Sequence, residues 1–475
     1  MSRAELSINL QIEPMSNTGL ADFNGQHIHF VGIGGIGMSG IASILLRQGY
    51  AISGSDIKES PITKKLSALG AHIFIGHDAL NINGADTLVY SSAIKADNPE
   101  LLAAKSKGVL AIRRAEALAK LMNNKTCIAI SGAHGKTTTT ALVSHLLLQA
   151  GLFPTVAIGG ILRNLDDNAH LGKSKYFVAE ADESDGTFLY YRPDYSIVTN
   201  IDREHLDYYK SWDNIVSAYA KFISNTKGAG CLFCCGDDPA IRQITKGYKK
   251  RITYFGLSED NDFYPKDIIL HDFSSSFDCF CREKFMGRII LPLAGRHNIQ
   301  NSLSVIALGC ELGIDFKKIA GILSSFKGTE RRFQLKLDVK GIKIIDDYGH
   351  HPSEIKATLL AAKNVSHKRL MVLFQPHRYS RTKFLLDDFA GSFTLADYLI
   401  LTDIYGACES PIAGISSEVL CDRIKQLTSR QALYLNKEKI LEHVIQNLRP
   451  GDLILTLGAG DIGRISDELV ERLKA

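Results

Sequence analysis

The stretch that most limits what this chain can fold into is Cys127 to Thr140. An apolar run, Cys127-Ile128-Ala129-Ile130, leads into Ser131-Gly132-Ala133-His134-Gly135-Lys136-Thr137-Thr138-Thr139-Thr140. A strand that turns into a helix through such a loop is a phosphate loop: glycines let backbone N–H groups curl around phosphate oxygens, and the helix points its positive end at them. Lys136 supplies a cation and Thr137 a hydroxyl for Mg²⁺. The spacing is tighter than the usual G-x-x-x-x-G-K-[ST], because Ile130 stands where the first glycine belongs. A nucleoside triphosphate is the expected ligand of Gly132, Gly135, Lys136, Thr137 and Thr138.

A single phosphate-loop domain does not exhaust the chain. At 475 residues, 45% hydrophobic and 22% charged, there is material for two to four domains, since single cores rarely grow beyond about 250 to 300 residues. The net charge of +4 is spread over 55 basic and 51 acidic residues. No long like-charge block gives a nucleic-acid tail or a membrane-surface patch, and small anionic ligands account for the balance. The N-terminus lacks a signal pattern and no apolar run approaches the ~20 residues of a membrane span, so a cytoplasmic protein is expected. Nine cysteines, an odd number, fit reduced thiols in that compartment. Cys231-x-x-Cys234-Cys235 and Cys279-x-Cys281 have some of the spacing of a zinc ribbon, but both lie in apolar, strand-like runs and read as buried thiols.

Residues 1–24 carry no clear periodicity and are expected to be a mobile tail. His27 to Val31 is an expected strand, and Gly32-Ile33-Gly34-Gly35-Ile36-Gly37 has the G-x-G-x-x-G form opening an apolar helix, Met38 to Gln48. A second strand ends at Asp56, where a dinucleotide fold places its ribose-binding acid. The fingerprint identifies a diphosphate and not what is attached to it. Strands Ala71 to Ile75 and Thr87 to Tyr90 lead to His77 and to Ser91-Ser92, at the strand ends where ligands bind in such sheets. This first domain closes with helix Arg113 to Leu121, giving boundaries of 25–124.

The second domain, 125–327, holds the phosphate loop and two acidic strand ends. One delivers Glu180-Ala181-Asp182-Glu183-Ser184-Asp185 and the other Asn200-Ile201-Asp202-Arg203-Glu204-His205-Leu206-Asp207. A strand end beside a phosphate loop supplies the metal's carboxylate, which makes Glu180 and His205 candidate Mg²⁺ ligands with Thr137. Gly295-Arg296-His297-Asn298 opens an apolar helix. The third domain, 328–475, has strand ends at Asp346-Asp347-Tyr348-Gly349-His350-His351-Pro352 and at Gln375-Pro376-His377-Arg378-Tyr379-Ser380-Arg381. Two successive strand ends carrying histidines and several charges mark a ligand site.

In combination and in order, these segments resemble the Mur ligase family, from about His27 to the C-terminus. The resemblance implies an α/β fold of three domains: a Rossmann-like N-terminal domain, a central P-loop ATPase-like domain and a C-terminal Rossmann-like α/β domain. It implies ATP-dependent amide formation with Mg²⁺, and is greatest to members that join L-alanine to the lactyl carboxylate of UDP-N-acetylmuramic acid through an acyl phosphate. Carried over position by position, Gly32, Gly34, Gly37, Asp56, His77, Ser91 and Ser92 would hold the UDP part. Lys136, Thr137 and Thr138 would hold the ATP phosphates, with Glu180 and His205 on a second Mg²⁺. Asn298 would read adenine, and Arg332 and Asp346 would contact the nucleotide. Tyr348, His350, His377, Arg378 and Arg381 match the region that receives alanine, with His350 and Arg381 nearest the chemistry. A monomer or weak homodimer, with no nucleic-acid or membrane partner, is expected.

Two positions depart from the family pattern. Ala133 stands where the loop usually carries Thr, and the position of the relatives' carbamylated lysine falls near Tyr219, with Lys221 out of register. Three other readings compete. A ligase of the same fold could attach a preformed tripeptide, but the Ile36-Gly37-Met38-Ser39-Gly40 sequence favours the alanine reaction. An NAD-linked oxidoreductase leaves the Lys136 loop unexplained, and a non-catalytic nucleotide-binding regulator leaves the third domain's His and Arg clusters idle.

Overall fold

The computed structural model describes residues 23, 25–91, 93–407, 409–428 and 432–474. Apart from Phe23, the expected tail lies outside them, as does Ser92. Two compact units emerge: the chain up to Tyr264 with Leu303–Asp315, and Pro265–Ser302 with Phe316 onward.

The first unit opens with a parallel five-stranded sheet. Its strands are β1 (His27–Val31), β2 (Ala51–Asp56), β3 (His72–Ile75), β4 (Thr87–Tyr90) and β5 (Leu110–Arg113), in the order β3-β2-β1-β4-β5. The order reverses between β1 and β4, and in open parallel sheets that switch point is where ligands bind. β1 is buried from Ile28 onward, and apolar there apart from His29, as a strand covered on both faces must be. The helix after the first glycine loop runs Ile36–Arg47, with Gly35 as its N-cap. The sequence places its start at Met38. The helix starts earlier because Gly37 lies within its first turn, where the apolar periodicity gives no signal.

The second sheet of this unit contains β6 (Thr126–Ser131), β7 (Thr155–Leu162), β8 (Asp167–His170), β9 (Tyr176–Glu180), β10 (Tyr195–Val198), β11 (Cys231–Cys235) and β12 (Arg251–Phe255), ordered β12-β11-β10-β6-β9-β7-β8. β6 is central, paired in parallel with β10 and β9. Helix Lys136–Gln149 follows it and is buried from Thr137 through Leu147. A helix buried around most of its circumference seats in a core, so the phosphate loop is anchored at both ends. Truncating Leu146 or Leu147, both fully buried, to alanine would cost about 2–5 kcal/mol.

The second unit includes most of β13 (Phe263–Leu270), β14 (Ser275–Cys281) and β15 (Lys284–Leu291). It also includes a six-stranded sheet of β16 (Gln334–Val339), β17 (Ile342–Asp347), β18 (Arg369–Phe374), β19 (Tyr398–Leu401), β20 (Ala432–Tyr434) and β21 (Asp452–Leu457), ordered β16-β17-β21-β18-β19-β20. Only β16 runs antiparallel to its neighbour. Every residue of β21 is buried, and two apolar clusters pack this sheet, one around Phe374, Phe389 and Phe393 and one around Ile344, Met371 and Ile454.

The cysteines behave as expected of structural thiols. Among the described residues all are free, with Cys231, Cys234 and Cys235 on β11 and Cys279 on β14 buried, and burial pushes the Cys235 thiol up to about 12. No helix among the described residues is long and apolar enough to cross a membrane.

Candidate active site

Both glycine loops of the first unit are built around positions where a side chain cannot fit. Gly132 has φ +139°, and a Cβ there would sit 2.0 Å from Thr199 Oγ1. Gly135 is left-handed at φ 83° and caps the helix that starts with Lys136. Thr199 Oγ1 donates to the His134 carbonyl at 2.6 Å and His134 N–H donates to Asn200 Oδ1 at 2.8 Å, so the strand end after β10 braces the loop. His134 also pairs with Asp202, 2.9 Å from Nε2 to Oδ2.

Lys136 folds back across this loop. Its Nζ donates to the carbonyls of Gly132 (2.6 Å) and Ala133 (3.1 Å) and to Glu183 Oε1 (2.8 Å). Burial opposes its charge, but Glu183, Asp182 and Glu180 outweigh burial and hold its pKa above the ordinary lysine range. Thr137 Oγ1 donates to Glu180 Oε1 at 3.3 Å, and Glu180 Oε2 accepts from Gly159 N–H at 3.0 Å. His205, in the left-handed region at φ 55°, places Nε2 3.2 Å from Glu204 and 3.8 Å from Glu183. Burial lowers its pKa, but the hydrogen bond and charge of Glu204 more than reverse this and raise it. The structure thus gathers Lys136, Thr137, Glu180 and His205 as the sequence predicted, and adds Glu183, whose ion pair with Lys136 no spacing rule signals.

The oxygen-rich set fits a divalent cation. Glu183 Oε2 is buried and makes no hydrogen bond among the described residues, and the Thr137 hydroxyl and Glu180 carboxylate are hard donors of the kind Mg²⁺ takes. At the second departure noted in the sequence, Lys221 is exposed on helix Trp212–Ser224, whereas Tyr219 is buried.

At the other loop, Gly34 N–H donates to Asp56 Oδ2 at 2.9 Å, and a Cβ on Gly34 would meet that oxygen at 2.7 Å. Gly32 is left-handed at φ +80°. A Cβ on Gly37 would touch Arg114 Nη1 at 3.0 Å, and Arg114 reaches Asp182 at 3.2 Å. Asp182 is held down at about 2: burial works to raise it, but Arg114, Lys136 and His205 prevail. His77, expected at the UDP site, places Nδ1 3.0 Å from Ser55 Oγ and 3.2 Å from Glu100 Oε2. Glu100 is fully buried and also accepts from Ser55 Oγ and Asn81 Nδ2, at 2.6 and 2.7 Å. Ser91 forms a turn, accepting from Ala93 N–H at 3.2 Å.

In the second unit, Asp346 on β17 accepts from Arg331 Nε at 3.0 Å and from Thr456 Oγ1 at 2.7 Å. Arg331 also donates to the carbonyls of Gly458 and Gly460, and Arg332 lies 5.1 Å from the centre of the Tyr348 ring. The buried Asn298 donates to the Ala294 carbonyl at 2.8 Å, at the start of helix Arg296–Glu311. His350 and His377 stand 5.5 Å apart, ring centre to ring centre. Their hydrogen bonds assign opposite tautomers. The Tyr348 carbonyl, 3.0 Å from His350 Nδ1, can only accept, so Nδ1 carries the proton and neutral His350 has its lone pair on Nε2. Arg381 Nη1, 3.2 Å from His377 Nδ1, can only donate, so neutral His377 carries its proton on Nε2. In their neutral forms, Nε2 of His350 is an acceptor and Nε2 of His377 a donor. Arg378 is held at φ 70° between β18 and helix Tyr379–Phe384.

Three family descriptions match the chain in order: "Mur ligase family, catalytic domain" over residues 27–126, "Mur ligase middle domain" over 130–309 and "Mur ligase, glutamate ligase domain" over 331–460. The chain is 47% identical over 452 residues to a UDP-N-acetylmuramate--L-alanine ligase of Geobacter sp. (strain M21), covering 95% of this chain and 98% of that one. It is 44% identical over 450 residues to the ligase of that name from Syntrophus aciditrophicus (strain SB), covering 94% of each. Among solved structures it is similar to the UDP-N-acetylmuramate-alanine ligase of Thermotoga maritima, with a TM-score of 0.82, 31% identity, and 95% and 99% of the two chains covered. A MurF ligase from Thermotoga maritima in complex with ADP shares the fold, with a TM-score of 0.62 at 16% identity and 89% and 95% covered.

Proposed function

The chain belongs to the Mur ligase family, and from that premise we propose how its residues divide the work of the reaction. That reaction is the ATP-dependent joining of L-alanine to the carboxylate of UDP-N-acetylmuramic acid, in peptidoglycan precursor synthesis. Tripeptide attachment and NAD-linked redox chemistry lose to it, because relatives 46–47% identical over nearly the whole chain bear the alanine-ligase name.

An ionised carboxylate is a poor electrophile, so it must first be turned into a mixed anhydride. The lactyl carboxylate oxygen attacks the γ-phosphorus of ATP, the bond to the β-γ bridging oxygen breaks, and ADP leaves. Bringing two anions together needs fixed positive charge, and Lys136 is that charge. Thr137, Glu180, Glu183 and His205 would hold Mg²⁺, which when bound adds charge neutralisation at the same phosphates. Gly132, Gly135 and Thr138 present the loop and helix N-terminus to the triphosphate. Asn298, Arg332 and Asp346 serve the nucleotide, in line with the polar groups gathered at the ends of β17 and β21.

In the second half-reaction the alanine nitrogen must lose its proton before it attacks. Neutral His350 carries its lone pair on Nε2 and takes that proton. The amine adds to the acyl carbon, the bond from carbon to the phosphate oxygen breaks, and the second nitrogen proton leaves with inorganic phosphate. His377, with its proton on Nε2, and the Arg378 and Arg381 guanidinium groups bind the alanine carboxylate and the developing oxyanion, and Tyr348 lines the same site. Gly32, Gly34, Gly37, Asp56, Ser91 and Ser92 hold the UDP moiety, with His77 beside them.

We assign UDP-sugar binding to 25–124, ATP to 125–327 and the amino acid to 328–475, in a cytoplasmic monomer or weak homodimer, where both nucleotides are made. The observation that carries the reading is the placement of Lys136 over its own loop among Glu180, Asp182 and Glu183. ADP release, followed with ATP, Mg²⁺ and UDP-N-acetylmuramic acid while L-alanine, glycine, L-serine or tripeptide is added in turn, tests it. ADP appears with L-alanine first; no ADP with any of them defeats the reading.

A further inference from the structure

Arg378 is the one proposed alanine-contacting residue whose backbone is left-handed, at φ 70°. A long side chain in that region is strained and persists only where its surroundings hold it. Its surroundings come from the strand end after β19, a segment that sequence reasoning did not select. Arg378 N–H donates to the Tyr405 carbonyl and Tyr405 N–H donates to the Pro376 carbonyl, both at 2.8 Å, a bridge that brackets His377. The Tyr405 ring lies against His377, with centres 5.5 Å apart and planes within 10°. On another side, a Cβ on Gly460 would come within 2.8 Å of Tyr405 Cγ, so the tyrosine occupies room that only glycine leaves. Glu409 accepts from Ser380 N–H at 3.0 Å and Ser380 Oγ at 2.7 Å, and lies 3.7 Å from Arg378 Nη1.

We propose that Tyr405 is a positioning residue for the amino-acid substrate, with Glu409 as its support. Tyr405 fixes the plane of His377 and, through its carbonyl, the strained backbone of Arg378, so that a donor and a guanidinium meet the alanine carboxylate at a set angle. The ring plane matters because His377 Nδ1 is already committed to Arg381, and rotation about its side-chain bond would turn the Nε2 proton away from the substrate. Arg378 and Ser380 anchor opposite ends of one short turn, and Glu409 ties them together. Face-to-face packing of an aromatic ring on imidazole resists rotation at little entropic cost, since both rings have few torsions. This inference rests on the assignment of alanine to His377 and Arg378, and its test separates the two.

The test is steady-state kinetics on the full chain, with each of ATP, UDP-N-acetylmuramic acid and L-alanine varied in turn. Tyr405→Leu raises the KM for L-alanine about tenfold or more and leaves the other two KM values within about twofold, because misplacement of a positioning group by a fraction of an ångström falls on the substrate it orients. Tyr405→Phe restores the wild-type value, since the ring and not the hydroxyl does the stacking. Glu409→Gln gives a smaller rise of about threefold, because the Ser380 hydrogen bonds survive the loss of charge. A Tyr405→Leu enzyme with normal alanine KM, a loss shared equally by all three substrates, or a Tyr405→Phe enzyme as impaired as Tyr405→Leu overturns the positioning role. His377→Ala is the control: if it too leaves the alanine KM unchanged, the underlying site assignment falls. A high alanine KM in His377→Ala beside a normal one in Tyr405→Leu removes Tyr405 alone.

Discussion

Each of the two glycine loops in the first unit is backed by a buried glutamate, and the two glutamates are in opposite states. Behind the Gly32–Gly37 loop, Glu100 takes hydrogen bonds from Ser55 and Asn81 and lies against His29 and His77; burial works to raise its pKa, but His29, Ser55 and Asn81 outweigh it and hold it at about 2. Behind the Gly132–Thr138 loop, Glu183 pairs with Lys136 through one oxygen, while the other is buried with no hydrogen bond among the described residues, and burial pushes its pKa up. A fully satisfied buried carboxylate is part of the scaffold; a half-satisfied one stores unfavourable free energy that a ligand can release. On the function proposed above, the same strand-loop-helix device would serve two purposes: one loop would hold a diphosphate, and the other, supplied with a lysine and a half-satisfied carboxylate, would move a phosphoryl group.

Lys136→Ala is the strongest way to break that contrast. We expect turnover to fall by at least about 10³-fold, a loss in line with removing a charge aimed at the transferring phosphoryl group. Circular dichroism and UDP-N-acetylmuramic acid affinity should stay close to wild type, because the diphosphate loop does not use Lys136. Next in size is Glu183→Gln, for which kcat should drop about 10²-fold while the melting temperature stays near wild type, since removing a charge that burial disfavours offsets the loss of the Lys136 ion pair, and Asp182 and Glu180 still face that lysine. A variant that melts much earlier would show Glu183 to be scaffold, like Glu100.

Much of this contrast could be read from the residues before any coordinates. The loops, their glycines and the strand-end clusters follow from apolar periodicity punctuated by glycine, which is local in sequence. Glu180 and His205 were found the same way, because strand ends beside a phosphate loop converge on it. What the sequence did not reveal depends on pairing across long separations. Nothing at Glu183 distinguishes it from its acidic neighbours until Lys136 folds back to it, and nothing near Arg114 announces Asp182. Arg331 and Arg332 are adjacent and look alike, and both lie against the Tyr348 ring, so only the packing shows that Arg331 pairs with Asp346. Tyr405 and Glu409 escaped notice because a tyrosine and a glutamate after a strand are common in any loop. Only the packing on His377 and Ser380 sets them apart.

The smallest effect on catalysis is expected at Glu100, and pH sharpens it. Its folded pKa, at about 2, lies below its ordinary value of 4.5, so the stabilisation it confers is present above pH 4.5 and is lost as pH falls toward 2. Glu100→Gln should therefore be less stable than wild type by on the order of 3 kcal/mol at neutral pH. The gap should close in acid, as measured by urea unfolding at several pH values. Turnover of the folded variant should stay within about threefold of wild type, as for a change away from the reacting atoms. A pH-independent gap, or a catalytic loss rivalling that of Glu183→Gln, would make the two glutamates equivalent.

The central claim is that Lys136 and its carboxylates move a phosphoryl group onto the substrate carboxylate before the alanine nitrogen attacks it. The most direct measurement follows heavy oxygen in the lactyl carboxylate of UDP-N-acetylmuramic acid through one round of ligation with ATP and L-alanine. The account predicts one labelled oxygen in the inorganic phosphate for every amide formed, because the bond that breaks in the second half-reaction lies between the acyl carbon and that oxygen. Amide formed with unlabelled phosphate would contradict it.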